Sequence, residues 1–163
     1  MFKYSFFATA FFIATLFSCN DNKQSPNHNN DTKTTQESKV ENDIPFNEAK
    51  NYFVKNTYKD SVLHTNILKS QVDFDNIFGM ATTMGNDGKP TVIDFTNQYA
   101  IAVICPNSDK SPVLNILNVK SADNSITLHY KFTEGEKQSF SIRPFKIILL
   151  DNKYQGEVKL QKD

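Results

Sequence analysis

Apolar residues divide the chain into three stretches of different character. Phe6 to Phe17 is a run of apolar and small residues without a charge. Asn20 to Asp43 is almost entirely polar, with Val40 as its single aliphatic residue. From Ile44 onward, apolar residues return at short intervals. This division predicts a leader, a disordered segment, and a single folded domain over residues 45–163.

Two short helices are predicted at the start of the folded domain. Asn47 is a suitable N-cap for a helix over residues 48–56. Ser70 and Asp73 have the spacing of a capping box, which predicts a second helix that runs through Phe78.

The remainder of the domain has the periodicity of β-strands. From Ile126 to Phe132, apolar and polar residues alternate strictly, and the apolar run from Tyr99 to Cys105 is typical of a central strand. Strands are predicted over residues 63–68, 99–105, 113–119, 126–132, 140–142, 145–150 and 158–160. Because the connections are too short for parallel crossovers, we expect an α+β fold dominated by β-structure, namely an antiparallel sheet or a small barrel with the two helices near its start.

The N-terminal stretch has the features of an export signal. Lys3 precedes an apolar run of about a dozen residues, which is shorter than the about 20 that a membrane-spanning helix needs. The sequence Leu16-Phe17-Ser18-Cys19 resembles the lipobox of bacterial lipoproteins, in the Leu-x-Ser-Cys form found in Bacteroidota. The resemblance implies a signal peptide over residues 1–18, acyl chains on Cys19, and a linker over residues 19–44. It also implies a cell-envelope location, at the outer membrane, with the face left open.

Charge and cysteine content narrow the possible functions. The 18 Lys and Arg residues balance the 18 Asp and Glu residues, so the chain lacks the basic excess of nucleic-acid-binding proteins. With Cys19 lipidated, Cys105 has no intrachain disulfide partner, and its apolar surroundings indicate a core residue. No cofactor or metal site is predicted, because Asp73-x-Asp75 lacks the later ligands of a calcium loop.

The sequence carries no signature of an enzyme. It has no G-x-S-x-G motif, and His64 and His129 are the only histidines after residue 44. A hydrolase would need one of them beside a serine or a carboxylate in a cleft. Arg143 ends an alternating segment, and we expect it to form a structural salt bridge with a carboxylate such as Asp94. The alternative is that Arg143 contacts a ligand.

A candidate interaction loop lies between Met80 and Lys89. Residues 86–88 are a strong turn signal, and exposed methionines suit adaptable binding surfaces. The candidate contact residues are Met80, Thr82, Thr83 and Met84. The alternative is that the methionines fill gaps beneath the loop.

The second half of the chain resembles the C-terminal domain of PrcB-like protease-complex subunits. The resemblance covers Asp94-Phe95 before the first strand, the apolar strand over residues 99–105, and the C-terminal segment from Gln138 to Ile147. It implies a non-enzymatic partner role in the envelope. We therefore expect a membrane-tethered binding lipoprotein that contacts an envelope protein or protease. The alternatives are a protease inhibitor or accessory subunit, and an envelope hydrolase.

Overall fold

The computed structural model describes residues 41–85 and 87–163. The predicted signal peptide, Cys19, and the linker as far as residue 40 lie outside the described residues. No helix in the described ranges is long and apolar enough to cross a bilayer.

The described part of the chain contains twelve strands and one helix. In chain order they are β1 (Asn42–Asp43), β2 (Asn47–Glu48), β3 (Tyr52–Val54), β4 (His64–Leu68), α1 (Gln71–Ile77), β5 (Phe78–Met80), β6 (Gln98–Ile104), β7 (Ser108–Lys110), β8 (Val113–Ala122), β9 (Ser125–Thr133), β10 (Lys137–Ile142), β11 (Phe145–Asp151) and β12 (Glu157–Lys162). The strands confirm the prediction that β-structure dominates the fold.

The strands form two four-stranded sheets and two strand pairs. The order β2-β11-β6-β4 gives a central sheet, and the order β1-β8-β9-β12 gives an outer sheet. β3 pairs with β5, and β7 pairs with β10. Both large sheets are open in the described fold, so the barrel alternative is wrong.

The central sheet is covered on both faces. Ile101 and Val103 of β6 belong to a buried cluster shared with the outer sheet. Ala100 and Ala102 of the same strand belong to a second cluster, which includes Phe74 of α1. Since every residue of such a strand faces apolar surroundings, its sequence is continuously apolar rather than alternating.

The outer sheet has one covered face, and its strands alternate accordingly. Ile126 and Leu128 of β9 are buried, whereas Thr127 is only partly covered and Lys131 is exposed. The predicted alternation is therefore confirmed.

All strand pairs in the described fold are antiparallel except β12 with β9, which is parallel. The chain passes through β10 and β11 between those two strands, which supplies the long crossover that a parallel pair requires.

The prediction of two short N-terminal helices is wrong. Only the second segment is helical: α1 begins after Ser70, whose hydroxyl accepts a hydrogen bond from the Asp73 main-chain N–H at 3.1 Å. Residues 48–56 instead contribute to β2 and β3. Asn47 and Glu48 pair with β11, and Asn51 has a φ of +63°, which ends any helical path.

The folded part extends upstream of Pro45. Asn42 and Asp43 pair with β8 at the edge of the outer sheet. Ile44 is 4 % exposed, and its main-chain N–H donates to the Val119 carbonyl at 2.8 Å. These contacts anchor the segment that leads into the domain.

Candidate functional site

The segment Met80–Lys89, here called the methionine loop, carries the predicted contact residues at the surface. Met80 is 66 % exposed and Met84 is fully exposed. Thr82 and Thr83 are exposed as well. The methionine side chains therefore do not fill gaps beneath the loop.

Asn51 holds the base of the methionine loop from both sides. Its carbonyl accepts a hydrogen bond from the Ala81 N–H at 2.9 Å. Its side-chain amide donates to the main-chain carbonyls of Asp87 at 2.6 Å and Lys89 at 2.8 Å. Asn51 has the left-handed backbone conformation that asparagine tolerates better than most residues. One residue thus ties together the two ends of the loop.

Hydrogen bonds within the methionine loop make it narrow. The Thr83 N–H donates to the Gly88 carbonyl at 3.0 Å, and the Gly88 N–H donates to the Gly85 carbonyl at 3.2 Å. A Cβ atom at position 88 would lie 1.9 Å from the Thr83 carbonyl oxygen. Only glycine fits there, which explains this part of the turn signal.

Thr91 fixes the chain where it leaves the loop. The Lys50 N–H donates to the Thr91 hydroxyl at 2.9 Å, and the Thr91 N–H donates to the Lys50 carbonyl at 3.2 Å. The Tyr52 hydroxyl donates to the Thr91 carbonyl at 2.5 Å. Burial, with a smaller contribution from Asp75, raises the pKa of Tyr52, so this donor keeps its proton at neutral pH.

A groove of about 770 Å³ lies beside β3 and was not expected from the sequence. It is lined by chain segments that are far apart in sequence, namely residues 53–56, 58–61, 106–107, 141–143 and 145. Its cationic side chains are Lys55, Lys59 and Arg143, and its one carboxylate is Asp60. We call it the Arg143 groove.

Arg143 is held in place by neutral partners. Its Nε donates to Asn107 Oδ1 at 2.9 Å, and its Nη1 donates to the Tyr58 carbonyl at 3.1 Å. Its Cζ lies 5.4 Å from the centroid of the Tyr58 ring, which adds a cation–π contact. Among the described residues, no carboxylate lies within 4.0 Å of this guanidinium.

The expected pairing of Arg143 with Asp94 is wrong. Asp94 shapes the turn before β6: it accepts the Thr96 N–H at 3.0 Å and the Asn97 side-chain amide at 2.7 Å. The hydrogen bond from the Thr96 main chain is the largest cause of the lowered pKa of Asp94. A local turn therefore satisfies the carboxylate that we assigned to the distant arginine.

The amino-acid composition already distinguishes Arg143 from the other basic residues. Arg143 is the one arginine among the 18 basic residues of the chain. Arginine presents a planar set of donors that lysine cannot supply, so the single arginine of a lysine-rich chain is a position to inspect for a geometric requirement.

The two histidines among the described residues do not line the Arg143 groove. The Nδ1 of His129 is 3.0 Å from Asp163 Oδ1, while its Nε2 is buried without a hydrogen-bond partner. His64 is exposed at the start of β4. Neither histidine is among the residues that line the groove.

Cys105 lies in the core as expected. It is 3 % exposed, and burial raises the pKa of its thiol, which disfavours the reactive thiolate. Within residues 41–85 and 87–163, no three His, Cys, Asp or Glu side chains come together in a way that suits a metal ion.

Comparison with known proteins gives no relatives. No protein-family model matches the chain, and no curated protein or solved structure matches it significantly.

Proposed function

We propose that this protein is a membrane-tethered, non-enzymatic binding lipoprotein of the cell envelope. Acyl chains on Cys19 hold it at the outer membrane, and the methionine loop contacts an envelope protein. The lipobox-like sequence and the polar segment from Asn20 to Asp43 support the tether. Two or more acyl chains on one cysteine anchor a protein stably, whereas a single chain gives only marginal, reversible membrane binding.

The observation that carries the binding role is the combination of an exposed tip and a fixed base in one loop. Met84 is fully exposed, while Asn51 holds the two ends of the loop through three hydrogen bonds. A loop ordered before binding loses less conformational entropy in the complex. Methionine side chains adapt to irregular partner surfaces.

Site-directed photocrosslinking in cells tests this role. A photoreactive residue at position 84 is expected to give one reproducible protein adduct. The same residue at Lys159, which is exposed on β12, serves as the control and should not give that adduct. Asn51→Gly, which removes the side-chain amide and keeps access to positive φ, should reduce the yield. No adduct from position 84, or the same adduct from position 159, would contradict the proposal.

Protease inhibition or an accessory role in a protease complex is the second candidate. The narrow, hydrogen-bonded methionine loop with an apolar residue near its tip has the form of a loop that enters a protease cleft. The resemblance to PrcB-like subunits points in the same direction. Under this candidate, the purified protein inhibits an envelope or host protease, and Met84→Asp abolishes inhibition. Equal inhibition by both forms would exclude the loop as the inhibitory element.

A further inference from the structure

We propose that the Arg143 groove binds an acidic, extended peptide segment of a partner protein. Its carboxylates contact Arg143 and the neighbouring lysines. This inference rests on the proposed binding function and adds the chemistry of the partner.

Arg143 is oriented but has no anionic partner among the residues that the structure describes. A guanidinium has five N–H donors, and Asn107 and Tyr58 accept one each. The remaining donors have no acceptor among the described residues. Because the stacked Tyr58 ring and the two hydrogen bonds already fix the guanidinium plane, it is preorganised for a two-point contact with a carboxylate.

The charge of the groove suits more than one carboxylate. Lys55 and Lys59 line the groove together with Arg143. The Lys55 ammonium donates to the main-chain carbonyl of Asp75. This hydrogen bond does not neutralise the charge of Lys55, because its acceptor is not a carboxylate. The single acidic residue, Asp60, accepts a hydrogen bond from the Tyr58 hydroxyl at 2.8 Å. Several cations along one groove complement an acidic segment better than a lone chain-end carboxylate.

The strands beside the groove favour an extended ligand. Phe53 and Val54 of β3 line it, as do Ser141 and Ile142 of β10. In the described fold each of these strands has a strand partner on one edge only, β5 and β7 respectively. A strand with an open edge can pair with an extended peptide through main-chain hydrogen bonds. The volume of about 770 Å³ lies within the roughly 300–1,000 Å³ of ligand pockets.

The Arg143 groove and the methionine loop belong to one surface element. Phe53 lines the groove and pairs with Gly79, while its neighbour Tyr52 pairs with Met80, the first residue of the loop. A Cβ atom at position 79 would lie 2.4 Å from the Phe53 ring, so this glycine lets the ring cover the strand pair. A partner bound at the loop therefore continues along β3 toward the arginine.

Because Arg143 is the only arginine, its Nε–H gives a single signal in ¹⁵N NMR spectra. The lipidated full-length chain in detergent micelles is titrated with acetyl-Leu-Glu-Leu-Glu-Leu-amide and, as the matched control, with its Gln counterpart. We expect a saturable shift of the Arg143 signal with the Glu peptide alone. The affinity should fall as salt rises from about 0.05 to about 0.5 M, because salt screens the charges.

Substitutions separate geometry from charge. Arg143→Lys keeps the charge and loses the two-point contact, so we expect affinity to fall about tenfold. Because this variant lacks the arginine signal, its affinity is measured from the main-chain amide signals of the groove residues. Lys59→Gln should reduce affinity by about twofold to threefold. Lys131→Gln, at an exposed position on β9 in the outer sheet, is the matched control and should leave affinity unchanged. If Arg143→Lys does not fold, as judged from the rest of its spectrum, Lys59→Gln still tests the proposal.

Two results would overturn the proposal: no shift at millimolar peptide, or an equal shift with the Gln peptide. The outcome is separable from that of the proposed function. If photocrosslinking at position 84 succeeds and the peptide does not bind, the Arg143 groove alone is ruled out. If the peptide binds and crosslinking fails, the methionine loop is ruled out as the contact.

Discussion

At the scale of single residues, Asn51 has the clearest structural role. It combines a positive φ with hydrogen bonds to both ends of the methionine loop. Asn51→Gly removes the two side-chain hydrogen bonds, and we expect a loss of about 1–2 kcal/mol in the free energy of unfolding. Asn51→Ala adds backbone strain and should cost about 1 kcal/mol more. Urea unfolding measures both variants, and an alanine variant as stable as the glycine variant would contradict this role.

Single residues were also where sequence reasoning was weakest. Met80 and Met84 are exposed, and the interaction loop stays a prediction, yet nothing in the pattern identified Asn51 as the anchor of this segment. The partner of Arg143 was misassigned because Asp94 satisfies itself within its own turn. Contacts between residues distant in the chain depend on topology, which local patterns do not contain.

At the scale of elements, α1 illustrates how packing stabilises a short helix. Seven residues are too few for a helix to be stable in isolation. Ser70 caps its start, and Phe74 is 1 % exposed, with its ring 4.9 Å from that of Tyr52 in an edge-to-face contact. The stability of α1 therefore comes chiefly from the burial of one side chain against the central sheet.

A matched pair of substitutions on α1 tests this account. Phe74→Ala should lower the free energy of unfolding by about 3–5 kcal/mol, because it leaves a cavity beside the central sheet. Val72→Ala on the same helix should change it by about 0.5 kcal/mol or less, since Val72 is 70 % exposed. Chemical denaturation provides both values, and similar losses for the two variants would show that α1 is not held by Phe74.

The elements also show what could be predicted and what could not. The pattern located β4, β6, β8, β9, β11 and β12 because each has apolar residues that are buried or, in β12, partly buried in the core. The helix prediction for residues 48–56 was wrong, because Asn47 and Glu48 pair with β11. This pairing outweighs the weak helical spacing of the apolar residues in the segment. β7 carries the polar sequence Ser-Asp-Lys, so it gave no apolar signal.

At the scale of the whole molecule, burial of Tyr99 links folding to pH. Burial raises the pKa of Tyr99 from its ordinary value of 10 to about 12. Between these pH values the folded chain keeps a proton that the unfolded chain has lost, so stability falls as pH rises through this window. The loss reaches about 2 kcal/mol at the upper end of this window.

The Tyr99→Phe variant tests this linkage. Urea unfolding of the variant at about pH 10 and about pH 12 should show a smaller loss of stability than the native chain shows. A residual slope is expected, because burial also raises the pKa of Cys105 and of Tyr58. An unchanged slope would mean that Tyr99 does not titrate differently in the folded and unfolded states.

The central proposal is that a lipid tether on Cys19 holds the folded domain at the membrane. Mass spectrometry of the protein purified from native membranes tests it most directly. We expect a mature chain that begins at Cys19 and carries acyl chains, and we expect Cys19→Ser to move the protein out of the membrane fraction. A native protein with an unmodified Cys19, or one that leaves the membrane fraction without the substitution, would contradict the account.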